Sequence, residues 1–210
     1  MDFLSGGPAA LAEGVAVCTS LIVAIGAQNA FVLKQGLARS HVFVTALLCS
    51  VLDLSLCTAG VLGLGTLFQV FPFLLRGITW VGAAYLAWFG VVSLVRAWKS
   101  ESLESSAETS SQSLGRTVVL LLGFTLLNPH VWLDMILLGT LGGRHPPAEQ
   151  PWFVAGAALV SFTWFFGVSY GAALLAPLFR RPLTWRVLDV VIGITVLSLA
   201  LLLGFESLAG

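Results

Sequence analysis

Two aspartates stand where charge is otherwise scarce. Asp53 is the only charged residue between Val42 and Leu75, and Asp134 follows Asn128 by six residues inside another apolar segment. Counted from His41, Asp53 lies ~18 Å along a helix with a 1.5 Å rise, which is near the middle of a ~30 Å hydrocarbon core. An acid at that depth costs at least ~2.5 kcal/mol on insertion scales, and such acids mark ion or substrate pathways. The structural alternative is an aspartate paired to another helix. Few cations are placed to pair with it, since Arg76 and Arg144 sit at the outer ends of apolar segments.

Two further segments interrupt apolar runs with polar side chains: Gly26-Ala27-Gln28-Asn29 and Asn128-Pro129-His130. Pro129 removes a backbone donor and clashes one turn back, so a helix bends or breaks there. Gly26 loosens the first run less forcefully. Backbone freed by a break must line protein or a water-filled cavity. The alternative is a simple kink, with the asparagines mending freed carbonyls. Asp53, Asp134, Asn29, Gln28, Asn128 and His130 are therefore the candidate substrate-binding or proton-coupling residues, with Gly26 and Pro129 as helix breaks. His130 can titrate near neutral pH, although a neutral hydrogen-bonding imidazole is its commoner use. Glu13 lies within a turn or two of the outer end of the first run and is expected to face water; Asp189 and Glu206 fall near run ends and are expected to be solvated.

These residues need a membrane to position them. Of 210 residues, 58% are hydrophobic and 10% charged, against ~25% charged in a soluble domain. Six spans follow, at about 9–33, 42–64, 77–97, 117–141, 152–176 and 187–207, each long enough to cross a bilayer. The start of the chain has no basic n-region, so the first span is expected to be retained and not to act as a cleaved signal peptide. A serine-rich stretch, 99–116, is expected to be a solvated loop. It separates a first unit of three spans, 1–98, from a second, 117–210.

Lys34, Arg39, Arg96, Lys99, Arg116, Arg180, Arg181 and Arg186 fall on one side, and Arg76 and Arg144 on the other. Cytoplasmic loops are enriched in Lys and Arg, so this distribution places both termini outside the cytoplasm. Lys34 either marks the end of the first span or snorkels from a span that continues towards Leu37. Residues 43–63 can be laid on 153–173, and Asn29 and Asn128 each fall in the first span of their half. Three spans per half invert the second half relative to the first, a design of transporters with broken first helices and midplane sites. The fold expected is all-α and transmembrane: six helices in two inverted repeats of three, the first helix of each interrupted.

Other chemistry is poorly supported. No basic block interleaved with aromatics suggests nucleic acid. Cys18, Cys49 and Cys57 are odd in number and lie in apolar runs, as free thiols packing as small apolar groups do. They lack the His or acid partners of a metal site, and no cofactor motif is present. No nucleophile with a general base, His-rich metal motif or phosphate loop suggests an enzyme. Gly167-x-x-x-Gly171 and the Gly60, Gly63, Gly65 cluster offer small faces for helix packing, within one protomer first, with a homodimer seam as the other use.

The chain resembles the lysine/arginine exporter (LysE) family of bacterial inner-membrane proteins. The residues that carry this are Ile25 to Leu33, Leu48 to Asp53, Leu127 to Asp134 and Phe162 to Gly167, in order and over most of the chain. The resemblance implies an inner-membrane, multi-pass exporter of basic amino acids driven by the ion gradient, with the family's two intramembrane aspartates falling on Asp53 and Asp134. The family motif has Pro between Gly and Gln; Ala27 stands there, which predicts a weaker bend in the first span. Wider relatives move neutral amino acids.

The mechanism expected is export of L-arginine or L-lysine by proton antiport. Outward movement of one positive charge opposes the membrane potential by ~2.3 kcal/mol per 100 mV, and a returning proton cancels that electrical work. An aspartate with an ordinary pKa of ~3.9 is rarely protonated at neutral pH, but removal from water disfavours its charged form, so each acid can hold a proton or the cation. The alternatives are an exporter of neutral amino acids or of another small cation, and a passive channel. The basic amino acid, protons and the lipid bilayer are the partners implied, with a second copy of the chain as the alternative partner at the glycine faces.

Overall fold

The computed structural model describes residues 6–23, 26–64, 70–98, 113–179 and 182–209. All regular structure among them is helical. In chain order the α-helices are α1 (Gly7–Ile22), α2 (Ala27–Leu37), α3 (Val42–Ala59), α4 (Pro72–Trp98), α5 (Leu114–Leu126), α6 (Pro129–Gly142), α7 (Gln150–Leu175) and α8 (Pro182–Ala209). A π-helical turn, Gly60–Leu64, extends α3, and a 3-10 turn, Ala176–Phe179, follows α7.

Among the described residues four helices are long and apolar enough to cross a membrane: Val42–Leu64, Arg76–Val95, Gln150–Leu175 and Leu183–Phe205. The count reaches six only if the bent pairs α1–α2 and α5–α6 each form one span, with bends of 82° and 60°. The sharper bend is the one without a proline, so the weak bend expected from Ala27 is not found. Helix α1 has already ended at Ile22, and Gly26 precedes α2 in extended conformation (φ −96°, ψ 176°), so α2 begins as a separate helix. At the second break Asn128 is the N-cap and Pro129 the first residue of α6. Proline is favoured there because its absent N–H would have had no partner anyway.

Helix α7 is the hub, packing against α1, α2 and α3, while α4 and α8 pack along each other. The main core joins Phe31 of α2, Phe89 of α4 and Phe124 of α5. The Phe89 and Phe124 rings meet edge to face at 4.6 Å, a geometry worth ~0.5–1.5 kcal/mol beyond the burial itself. A second core gathers Cys18, Cys57, Leu138 and Phe153. Outward, large apolar side chains such as Trp88, Leu159, Leu174 and Leu201 are exposed, as a surface solvated by lipid requires. All three cysteines are free and buried.

The glycines sort differently from the sequence reading. Gly60 packs against Met135 and Gly139 of α6, but a side chain at Gly167 or Gly171 would meet nothing within 4 Å. The expectation that this second pair packs within one protomer is therefore not met among the described residues. Gly65 and residues 99–112 of the serine-rich stretch lie outside those residues; the stretch ends sooner than expected, since Ser113 caps α5 and Leu114 to Arg116 are its first turn.

Gly82 positions the second break. A Cβ there would overlap the Leu127 carbonyl and touch Pro129, so α4 passes this close only without one. Gly82→Ala is expected to lower stability by ~1–3 kcal/mol or more, as overpacking does, because the obstruction is backbone. Gly77→Ala, with nothing within 4 Å, serves as the neutral control. Unfolding midpoints of the purified proteins in detergent measure both.

Candidate functional site

A cavity of about 350 Å³ lies where the two broken helices meet α3 and α7, within the ~300–1,000 Å³ range of small-molecule sites. Gly26, Gln28 and Asn29 reach it from the first break, Asn128, His130 and Asp134 from the second, and Asp53 from α3. Seven of the eight residues singled out in the sequence are thus brought together. Pro129, the eighth, is buried and is not among the lining residues. Asp53 and Asp134 share this one space, and among the described residues neither Lys nor Arg lines it. Its fixed charge is therefore acidic.

Each break is mended locally. Asn29 Nδ2 donates to the Ile22 carbonyl at 3.1 Å, closing the frayed end of α1. At the second break Trp132 Nε1 donates to the Leu126 carbonyl at 2.8 Å. Asn128 Oδ1 there accepts from the His130 backbone N–H at 3.1 Å, so this asparagine caps a donor and does not mend a carbonyl. His130 and Asp134 are four residues apart on α6 and share a helix face. Glu13 lies away from the cavity, 3.1 Å from His145 Nε2.

Helix α7 supplies partners to which the sequence reading gave no role. Ser161 Oγ donates to Asp53 Oδ2 at 3.0 Å. Trp164 Nε1 donates to Asn29 Oδ1 at 3.2 Å, holding the asparagine from its other side. The available signal was spacing: Ala157, Ser161 and Phe165 line the cavity at intervals of four, which is one face of a helix. Cys18 and Cys57, read as packing residues, line the same cavity.

Asp189 corrects another expectation. It is buried and its Oδ1 pairs with Lys34 Nζ, joining α8 to α2. The side chains are only 6% and 12% exposed for Lys34 and Asp189, so Lys34 is an interior cation and does not snorkel from a span end. Removing it from the loop cations leaves seven on that side against two, with the same sign of asymmetry.

A LysE-type translocator model matches residues 19–207. The arginine exporter protein ArgO of Yersinia enterocolitica is 40% identical over 182 residues, covering 86% of this chain and 89% of its own length. Those of Salmonella paratyphi B and Salmonella typhi are each 38% identical over 198 residues, covering 94% of both chains. No solved structure matches the chain.

Proposed function

Because the chain belongs to the LysE family of translocators, and so is a transporter and not an enzyme, we propose that it exports arginine, with lysine as second substrate, by proton antiport. The observation that carries this is the cavity with two aspartates and, among the described residues, no lining Lys or Arg. Such a space stabilises a guanidinium or ammonium group and disfavours an anion. The relatives named as arginine exporters support the choice of arginine.

In this reading Asp53 and Asp134 alternate between holding a proton and holding the cation. The Ser161 hydroxyl positions one Asp53 oxygen and leaves the other to the ligand. Breaks in α1–α2 and α5–α6 let backbone and side-chain amides reach the cavity without exposing polar groups to lipid. An inverted arrangement of the two halves would bring these breaks to one depth, as in other transporters built from inverted repeats. The asymmetry of Lys and Arg supports placing both termini outside the cytoplasm of an inner membrane.

Counterflow in proteoliposomes tests the substrate. Vesicles loaded with unlabelled arginine are expected to concentrate labelled arginine, lysine less, and leucine not at all, while a pH-sensitive dye reports one proton moving opposite to each arginine in net transport. Equal exchange with leucine would sink the cationic reading, and net arginine movement without a proton signal would sink the antiport.

A further inference from the structure

The cavity can hold a cation at its aspartates, but an amino acid also carries an α-carboxylate, which those aspartates repel. We propose that the start of α2, together with the Gln28 side-chain amide, seats that carboxylate, so that the substrate lies across the cavity with its anionic end at α2 and its cationic end at Asp53 and Asp134. This rests on the arginine reading above and adds to it the orientation of the substrate and the requirement for a carboxylate.

Two helices begin at the cavity, and they are not equivalent. In α6 the Asn128 side chain already occupies the His130 N–H. In α2 the cap position is Gly26, which has no side chain to offer. The first N–H groups of any helix lack an intrahelical acceptor, and the aligned peptide dipoles place about half a positive charge there. A carboxylate or phosphate is the usual occupant of such an end.

Gln28 is the independent second observation. It lines the cavity, is only 8% exposed, and its Nε2 is buried without a hydrogen-bond acceptor. The Cys49 thiol beside it is a weak acceptor. A buried amide donor left unmade is costly, and a carboxylate, with two oxygens and acceptor capacity only, is its natural complement. Asn29 cannot play this part, since its amide nitrogen serves Ile22 and its oxygen serves Trp164. Among the described residues no Lys or Arg lines the cavity, and the Gln28 amide is the lining donor left for an anion.

The test compares arginine with agmatine, which is arginine without its carboxylate. Direct equilibrium binding of each labelled compound is measured on the purified protein in detergent, where no membrane voltage acts. The parent is expected to bind arginine at least about 30-fold more tightly than agmatine. Gln28→Leu should weaken arginine about 10- to 100-fold, the worth of a hydrogen bond to a charged group, and change agmatine less than about threefold. Retained agmatine binding then shows that the variant is folded. Gln28→Glu, which repels a carboxylate, should weaken arginine further and leave agmatine equal or tighter. Equal losses for both ligands in Gln28→Leu, or a parent that binds agmatine as tightly as arginine, would overturn the carboxylate seat while the arginine reading stands. A parent that binds neither would overturn both.

Discussion

Asp53→Asn and Asp134→Asn are each expected to cut arginine counterflow by about 10- to 100-fold while the protein remains at least as stable as the parent. The size follows from losing a charge-assisted hydrogen bond to a cationic ligand, worth ~1.5–3 kcal/mol, at ~1.4 kcal/mol per tenfold. Stability moves the other way for a separate reason. A carboxylate partly withdrawn from water in a cavity that no Lys or Arg among the described residues lines is a cost to the fold, and Asn removes the charge at nearly constant shape. In the Asp53→Asn variant Ser161 can still donate to the side-chain amide oxygen, so the α3–α7 contact survives. Asn also resembles a permanently protonated aspartate, so the variants should fail in exchange as well as in net transport. Counterflow rates beside unfolding midpoints separate the outcomes: lost transport with lost stability would make the acids structural, and unchanged transport would remove them from the mechanism.

The second large effect concerns the Lys34–Asp189 pair, which is buried between α2 and α8. Lys34→Met alone or Asp189→Leu alone removes one charge of a buried ion pair and keeps the other, and is expected to cost ~3–5 kcal/mol. The double variant carries apolar groups of similar volume and should recover most of that loss, since replacing a buried pair whole is often neutral or stabilising. Unfolding midpoints of the four proteins make a double-mutant cycle. Single variants within ~0.5 kcal/mol of the parent would place both groups in effective contact with water. The pair bears on transport too. Lys34 is six residues from Gln28, ~9 Å along α2 at a 1.5 Å rise, so the ion pair anchors one end of the helix whose other end enters the cavity.

Local rules made much of this chain legible. Sparse charge marks the spans because hydrocarbon excludes charge, whatever the helices then pack against. Asn128-Pro129 announces a break because a missing N–H and a steric clash act within one turn. Asp53 and Asp134 stand out because depth in a membrane can be counted along the chain. The size of the bend between α1 and α2 is not legible in the chain, since a glycine permits a turn without requiring one and neighbouring helices decide whether it is used.

Tertiary structure decided which residues meet. Asp53 and Asp134 are on separate helices, and nothing local makes them line one cavity. Ser161 and Trp164 looked like ordinary residues of an apolar span until α7 turned them towards Asp53 and Asn29. Asp189 has the sequence position of a solvated end residue, yet the fold sets Lys34 against it. The reason is physical. In water, the apolar stripe of a helix tells which face is inward. In lipid both faces are apolar, and helices associate through close packing and a few polar contacts, so rotation about each helix axis is written in the assembled fold and not in the periodicity of the chain.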